Sequence, residues 1–331
     1  MWLVATYHKT GTVLNAKLLR AIEGDSYVKC NSGCKELNVS PLHMAASGTH
    51  ILRMTHGVYV RTREEWEVLL ERSRQGLAER GVDRVRGVLW VRDPLEVILS
   101  GFFYHRVSHE QWLLDPGYFT REREMYEYFN KTRRSTCARM QCGPAASTAF
   151  STVRNGSLPL GHCNVCQHAL VLSTYQQILL ALPIEAGVML EAHRALSALQ
   201  RMEREWGWVR GGPDTMVVDL DSIRGNAYNG TFARVFSFLG ADDVDACVAL
   251  ASTFDINLHP PTGSGEHVFD ESLGEQKEAC RARLLQSAWY AQNVQPIRVR
   301  MGYPPPSPPT TTAPLPPPPL SQSPALPSPQ S

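Results

Sequence analysis

A short stretch near the start of the chain has the side chains needed to bind a phosphate. It consists of Lys9, Thr10, Gly11 and Thr12, and it follows the apolar residues 2–5 almost directly. The lysine brings a positive charge, the threonine hydroxyls can donate hydrogen bonds, and glycine lets the backbone approach an anion closely. In a Walker A loop the lysine follows the last glycine, whereas here it precedes the glycine. This stretch alone therefore leaves two alternatives, a phosphate-binding loop and a structural strand-to-helix turn.

A second basic motif begins at Arg92, which ends a predicted strand, and Ser100 follows eight residues later. The residues between them predict a helix start, with Asp93 as N-cap, Pro94 at the first helical position and Glu96 completing a capping box. An arginine at a strand end with a hydroxyl nearby suits a second phosphate, because the guanidinium can donate two parallel hydrogen bonds. The alternative is a surface salt bridge for Arg92 and a packing role for Ser100.

The elements that would position these motifs alternate between strands and helices. We predict strands at 2–6, 50–56, 88–91 and 215–220. We predict helices at 13–22, 64–77, 94–104, 170–182, 185–206 and 232–239. This alternation favours an α/β fold with a parallel sheet covered by helices on both faces. Because ligands bind such sheets at the carboxyl ends of the strands, both motifs are expected at that edge.

Two segments do not follow this alternation. Residues 115–166 show little periodicity, so we predict a loop-rich insertion within one domain spanning 1–301. Its cysteines are Cys137, Cys142, Cys163 and Cys166. The Cys-x4-Cys half fits zinc poorly, which favours disulfides or free thiols over a metal site. Residues 302–331 are so rich in proline that we expect a disordered tail, and binding of proline-recognising domains is the alternative.

Composition narrows the classes of partner. The net charge of +1 does not indicate a nucleic-acid or membrane-surface partner. The chain lacks a run of about 18 apolar residues, so membrane attachment is expected only if an anchor precedes it. Asn-x-Ser/Thr sequons occur at Asn38, Asn130, Asn155 and Asn229. They favour a glycoprotein of the Golgi lumen, while the missing anchor and signal peptide favour the cytoplasm as the alternative.

The two motifs together, "TYHKTGT" and "RDPLEVILSGFFYH", resemble the cofactor motifs of sulfotransferases that use 3′-phosphoadenylyl sulfate (PAPS). In that family the first loop binds the 5′-phosphosulfate, and the second motif binds the 3′-phosphate through an arginine and a serine eight residues apart. The resemblance covers about residues 2–270, where "MVVDLDSIRGNAYNGTFARVFSFLGA" is similar to the late strand, loop and helix of the family. It implies a P-loop-like sulfotransferase fold and transfer of a sulfuryl group, without a metal, to a hydroxyl of a carbohydrate or small molecule.

The resemblance also implies roles for individual residues. Those expected to bind the cofactor are Lys9, Thr10, Gly11 and Thr12 at the 5′-phosphosulfate, Arg92 and Ser100 at the 3′-phosphate, and Tyr175 near the adenine. Lys9 would also stabilise charge on the leaving oxygen during catalysis. His56 follows a predicted strand and resembles the histidine of the family's Lys-Thr-His segment, and its near-neutral pKa suits a general base. The alternatives for the base are His43, His50, His105 and a glutamate.

Several positions depart from the family pattern. The residues at these positions are His8 for a proline, Val13 for a threonine, Leu14 for an adenine-stacking tryptophan and Met54 for a lysine. A clear copy of the family's late Arg-Lys-Gly segment is also missing, so we expect a divergent member nearer the carbohydrate or algal-type branches. Two other classes stay open. One is a kinase-like P-loop phosphotransferase, which the missing Walker A order and the lack of an evident acidic pair for magnesium disfavour. The other is a non-catalytic nucleotide-binding or interaction protein that works through the proline-rich tail.

Overall fold

The structure is a computed structural model of the chain. It describes residues 2–7, 9–23, 28–30, 51–55, 62–78, 84–115, 174–223, 225–255, 258 and 273–305. Nearly all of the predicted insertion and the tail beyond residue 305 lie outside these ranges. So do the candidate bases His43, His50 and His56 and the four cysteines of the insertion.

A parallel sheet of five strands forms the centre of the fold. Its strands are β1 (Trp2–Thr6), β2 (Val28–Cys30), β3 (Ile51–Thr55), β4 (Arg86–Val91) and β5 (Thr215–Asp219). They lie in the order β2-β3-β1-β4-β5, and every neighbouring pair is parallel. The predicted α/β class and parallel sheet are confirmed. The edge strand β2 was not predicted, because three residues are too few to show a periodic pattern.

Helices connect and cover the strands. They are α1 (Thr12–Glu23), α2 (Arg63–Ala78), α3 (Pro94–Val107), α4 (Tyr175–Ala181), α5 (Ile184–Val209), α6 (Tyr228–Leu239), α7 (Val244–Ser252), α8 (Gly274–Leu285), α9 (Ala288–Asn293) and α10 (Gln295–Arg300). The first six correspond to the predicted helices, although α4 begins five residues later than predicted because Thr174 and Gln177 form a capping box there. In the part of the chain that the structure describes, no helix is long and apolar enough to cross a membrane.

The two faces of the sheet are covered by different helices. On β1, Leu3 and Ala5 face one hydrophobic cluster, while Val4 between them faces the other. The first cluster is completed by apolar residues of α2 to α5 and α8 to α10, and the second by residues of α1, α6 and α7. The helices that follow the adjacent strands β1 and β4 therefore leave the sheet towards opposite faces. Such a point, where the connections diverge, is where α/β sheets open a ligand crevice.

The start of α3 confirms part of its prediction. Asp93 is the N-cap, accepting a hydrogen bond from the Leu95 backbone N–H at 2.8 Å, and Pro94 is the first helical residue. The predicted capping box is wrong, because the Glu96 carboxylate points instead to Lys277 and Arg281 of α8. Those two cations give a buried carboxylate more stabilisation than one backbone N–H could.

The C-terminal end of the described chain is tied to this same region. Arg298 of α10 donates two hydrogen bonds of 2.6 Å to the Asp93 carboxylate. Beyond α10, Tyr303 lies within the predicted tail but packs partly buried against the core. Burial, together with the nearby Asp219 carboxylate, raises the pKa of the Tyr303 hydroxyl. These contacts bring α10 and the residues after it to the carboxyl ends of β4 and β5.

Candidate functional site

The two predicted phosphate motifs lie side by side in the structure. Strands β1 and β4 are direct neighbours, and Thr6 at the end of β1 pairs with Trp90. Lys9 follows the first strand by three residues, and Arg92 directly follows the second, so both lie at the same carboxyl edge. The next strand, β5, pairs Asp219 with Val91 and brings its own following turn to this edge. Three neighbouring strand ends therefore contribute to the candidate site.

The loop after β1 is held in a tight conformation by its threonines. The hydroxyls of Thr10 and Thr12 donate to the Tyr7 carbonyl oxygen at 3.0 and 2.7 Å, and the Tyr7 N–H donates to the Thr10 hydroxyl at 2.7 Å. The first helical bond of α1 runs from the Asn15 N–H to the Gly11 carbonyl. The N–H groups before it belong to a helix start, where an α-helix favours an anion. In this arrangement the hydroxyls shape the loop, and the backbone presents the donors.

Gly11 is required by this loop for two reasons. Its φ is +92°, a conformation that residues with a Cβ rarely adopt. A Cβ at this position would also lie 3.1 Å from Leu220 Cδ1 and 3.3 Å from Asn15 Nδ2. Since Leu220 belongs to the turn after β5, the loops of two strand ends approach each other closely here.

The Lys9 amine is buried at this loop. The side chain is only 8% exposed, and Nζ lies 2.7 Å from the centroid of the Tyr104 ring on α3. Burial lowers the pKa of Lys9 to about 6, although the charges of Glu110 and Glu191 act in the opposite direction. The amine is therefore largely neutral at pH 7. A bound anion would favour its charged form and raise this pKa.

Arg92 is buried at the other motif, with 4% of its surface exposed. Its Nε donates to Asp221 Oδ1 at 3.1 Å, and its Nη2 lies 3.7 Å from Glu96 Oε2. The salt bridge considered as an alternative role for Arg92 thus exists, but it is buried and lies at the carboxyl edge of the sheet. Ser100 lies one helical turn after Glu96 on α3 and is partly buried.

The face of α3 between the two cations links the motifs. Glu96, Ser100 and Tyr104 are spaced by four residues and so lie on one face of the helix. Glu96 lies close to Arg92 at one end of this face, and Tyr104 carries Lys9 at the other. Eight residues of helix place these ends about 12 Å apart. The structure therefore places Arg92 and Lys9 at opposite ends of one face of α3, with Ser100 on the helix between them.

Tyr175 is part of a buried network behind Lys9. It is fully buried, its hydroxyl donates to Glu191 Oε2 at 2.6 Å, and its ring stacks on Trp112 with centroids 5.7 Å apart. Glu191 also contacts His105 Nδ1 at 3.0 Å and accepts from Arg194 Nη2 at 2.6 Å. Burial lowers the pKa of His105, although the Glu191 carboxylate acts in the opposite direction. The network supports the site from within the core.

Glu110 connects this network to Lys9. It accepts hydrogen bonds from the Tyr104 hydroxyl, at 2.9 Å, and from the Trp112 indole. Although burial raises the pKa of Glu110, these hydrogen bonds and the Lys9 charge lower it overall. A carboxylate therefore lies close to the buried amine.

Five residues of the site were not predicted from the sequence, namely Tyr104, Glu110, Glu191, Arg194 and Asp221. One signal was present, because Glu191 and Arg194 place two charges three residues apart in a mostly apolar part of α5. Nothing in the sequence around Asp221 indicates that it contacts Arg92, since 129 residues separate them.

The predicted base His56 follows Thr55, the last residue of β3, which pairs with Thr6 of β1. His56 itself lies outside the described residues.

Within the described ranges, no group of three or more His, Cys, Asp and Glu residues is arranged to hold a metal ion.

Comparison with known proteins finds no matching family model, no similar curated protein and no similar solved structure.

Proposed function

We propose that this protein is a sulfotransferase with a P-loop-like fold that transfers the sulfuryl group of PAPS to a hydroxyl of a carbohydrate or small molecule. The observation that carries this proposal is the position of Lys9 and Arg92 at the ends of the adjacent strands β1 and β4, where the connections diverge to opposite faces. This is the position at which α/β sheets bind ligands. The resemblance of both motifs to the sulfotransferase family supplies the identity of the ligand.

The residues at this edge of the sheet suit the two anionic groups of PAPS. Lys9 and the first N–H groups of α1 would bind the 5′-phosphosulfate. Arg92 and Ser100 would bind the 3′-phosphate. Lys9 and Arg92 are both largely buried. Once an anion is bound and Lys9 is protonated, charge-assisted hydrogen bonds are stronger there because water is excluded. About 12 Å of α3 separates Glu96, which lies beside Arg92, from Tyr104, which lies beside Lys9. This length leaves room for a nucleoside between the two anionic groups.

The proposed reaction transfers a sulfuryl group between two oxygens. The acceptor oxygen attacks the sulfur, and the bond from sulfur to the bridging phosphate oxygen breaks. Negative charge then develops on the bridging oxygen, where a protonated Lys9 would stabilise it. The acceptor proton passes to a general base, which we assign to His56. The products are a sulfate ester and adenosine 3′,5′-bisphosphate.

Calorimetric titration with adenosine 3′,5′-bisphosphate tests the proposal. We expect the wild type to bind this product and Arg92→Ala to weaken binding by roughly tenfold to a hundredfold, since a hydrogen bond to a charged group contributes about 1.5–3 kcal/mol. Arg86→Ala is the matched control, because Arg86 lies on the same strand at its opposite end and contacts Phe238. Circular dichroism would confirm that each variant is folded.

The outcomes separate the competing classes. A preference for ATP over the bisphosphate would indicate a phosphotransferase. Absence of nucleotide binding in the folded wild type would refute the proposal. If the bisphosphate binds, transfer of radioactive sulfate from PAPS to a panel of sugars and phenols measures the activity. Retention of that activity in His56→Ala would exclude His56 as the base without changing the proposed class.

A further inference from the structure

The turn that follows β5 is held by its own hydrogen bonds and contacts Arg92. Asp219, the last residue of β5, accepts a hydrogen bond from the Asp221 backbone N–H at 2.9 Å through its side chain. Its carbonyl oxygen accepts from the Ser222 hydroxyl at 2.6 Å. Because Asp219 also pairs with Val91 in the sheet, the turn is fixed relative to β4. The Asp221 carboxylate is therefore held at a defined position beside the end of β4.

Asp221 contacts Arg92 through one nitrogen only. Both carboxylate oxygens face Nε, at 3.1 and 3.4 Å. Among the described residues, no other side chain makes a hydrogen bond to Arg92. An arginine carries five N–H donors in a planar fork, and the four on Nη1 and Nη2 remain after Nε is bound. Contact through Nε fixes the plane of the guanidinium and leaves its outer edge for a second partner.

Glu96 lies near that outer edge, but its closer partners are two cations of α8. Its carboxylate accepts from Lys277 Nζ at 2.8 Å and pairs with Arg281 at 2.6 Å, but lies 3.7 Å from Arg92. Although burial raises the pKa of Glu96, the hydrogen bond and charge of Lys277, with Arg281 and Arg92, lower it to about 2. Its negative charge is thus compensated by α8, and Arg92 remains able to bind an anion.

From these contacts we infer that Asp221 is a positioning residue, which holds Arg92 through Nε so that Nη1 and Nη2 face the 3′-phosphate of the ligand. This inference rests on the proposed function. Asp221 would not touch the ligand itself. It would orient the Arg92 guanidinium, which touches the ligand. In many sites the side chains that bind the ligand are oriented in this way by hydrogen bonds to residues behind them.

The test compares two ligands and two substitutions. Asp221→Ala removes the acceptor for Nε, and we expect it to weaken binding of adenosine 3′,5′-bisphosphate about tenfold, the size typical of a lost outer partner. Binding of adenosine 5′-monophosphate, which lacks the 3′-phosphate, should not change. Asp221→Asn keeps an oxygen that accepts from Nε and should restore most of the affinity for the bisphosphate. Asp214→Ala is the control, because Asp214 precedes the same strand at its opposite end and pairs with Arg74.

A double substitution guards against poor folding of the single variant. In the Arg92→Ala background, Asp221→Ala leaves no unpaired arginine, and we expect it to add no further loss of affinity. The inference is overturned if Asp221→Ala leaves bisphosphate binding unchanged or strengthens it. It is also overturned if both ligands lose affinity equally, if asparagine does not restore binding, or if the losses of the two single variants add. Absence of bisphosphate binding in the wild type would instead refute the proposed function, and the inference with it.

Discussion

Substitution of Glu191 by glutamine tests the buried network that supports the candidate site. Glu191 is fully buried on α5 and accepts hydrogen bonds from Tyr175, at 2.6 Å, and Arg194, at 2.6 Å, with His105 Nδ1 at 3.0 Å. Glutamine has nearly the same shape, so it leaves no cavity. It removes the negative charge and places an NH2 group beside donors. The cost therefore arises from electrostatics and hydrogen bonding alone.

The expected loss in the free energy of unfolding follows from the burial of Glu191. Breaking a buried ion pair by removing one partner costs about 3–5 kcal/mol, because the remaining charge stays buried without compensation. The Arg194 side chain keeps 15% exposure, so part of its charge stays solvated. Glutamine also keeps one acceptor oxygen. We therefore expect Glu191→Gln to lower the free energy of unfolding by about 3 kcal/mol, the lower end of this range. This corresponds to roughly a hundredfold change in the folding equilibrium.

Glu203→Gln is the matched control on the same helix. Glu203 also pairs with an arginine, Arg300, at 2.6 Å, but the two side chains are 22% and 55% exposed. An exposed pair contributes about 0.2–1 kcal/mol. Urea denaturation followed by circular dichroism measures the free energy of unfolding of both variants. If Glu191→Gln costs no more than Glu203→Gln, the buried network does not stabilise the fold.

The difference in stability between the wild type and Glu191→Gln should depend on pH. Although burial raises the pKa of Glu191, the charges of Arg194 and His105 hold it well below its usual range. A carboxyl whose folded pKa is depressed contributes stability that is present above its unfolded pKa, about 4.3, and is lost as the pH falls towards the folded value. The difference in unfolding free energy between wild type and Glu191→Gln should therefore narrow as the pH falls below about 4.

Two further predictions concern the loop after β1. Because burial lowers the pKa of Lys9 to about 6, and an anion would raise it, binding of the bisphosphate at pH 7.5 should take up about one proton. Calorimetry in buffers of different ionisation enthalpy measures this uptake, and Lys9→Met should abolish it; an unchanged uptake would place the proton elsewhere. Gly11→Ala should destabilise the fold by more than about 1 kcal/mol, because its φ is +92° and its Cβ would lie 3.1 Å from Leu220. Gly230→Ala is the control, since a Cβ there meets nothing within 4 Å. In thermal unfolding, this control should be as stable as the wild type or more stable. Equal losses of stability in both variants would contradict the argument.

The part of the fold around the two motifs could be predicted from the sequence because its signals are local. The strands at β1 and β4 are short apolar runs, and the start of α3 is marked by Asp93 and Pro94. Helices α7 to α10 were not predicted from the sequence, since α7, α9 and α10 have nine residues or fewer and α8 is mostly polar. Short helices of this kind are stabilised by packing against the core, and no local pattern reports that packing.

In the candidate site, too, local features could be predicted from the sequence and contacts between distant residues could not. The types and spacing of Lys9, Gly11, Arg92 and Ser100 are enough to indicate an anion site from the sequence alone. The sequence did not show that Glu96 binds α8 in place of the helix N-terminus, because that choice depends on Lys277 and Arg281 from 181 or more residues away. Tyr175 was predicted to lie near the adenine. Its burial likewise depends on a distant residue, because its hydroxyl donates to the Glu191 carboxylate of α5.

The alternation of strands and helices and the two basic strand-end motifs can be read from the sequence alone, because both depend on residues that are close along the chain. The tertiary structure decided that β1 and β4 are neighbours, that their helices leave towards opposite faces, and that Asp221 and Tyr104 hold the two cations. These features depend on strand order and on contacts between distant segments. Strand order is set by the packing of the whole core, so the two motifs come together only in the folded chain.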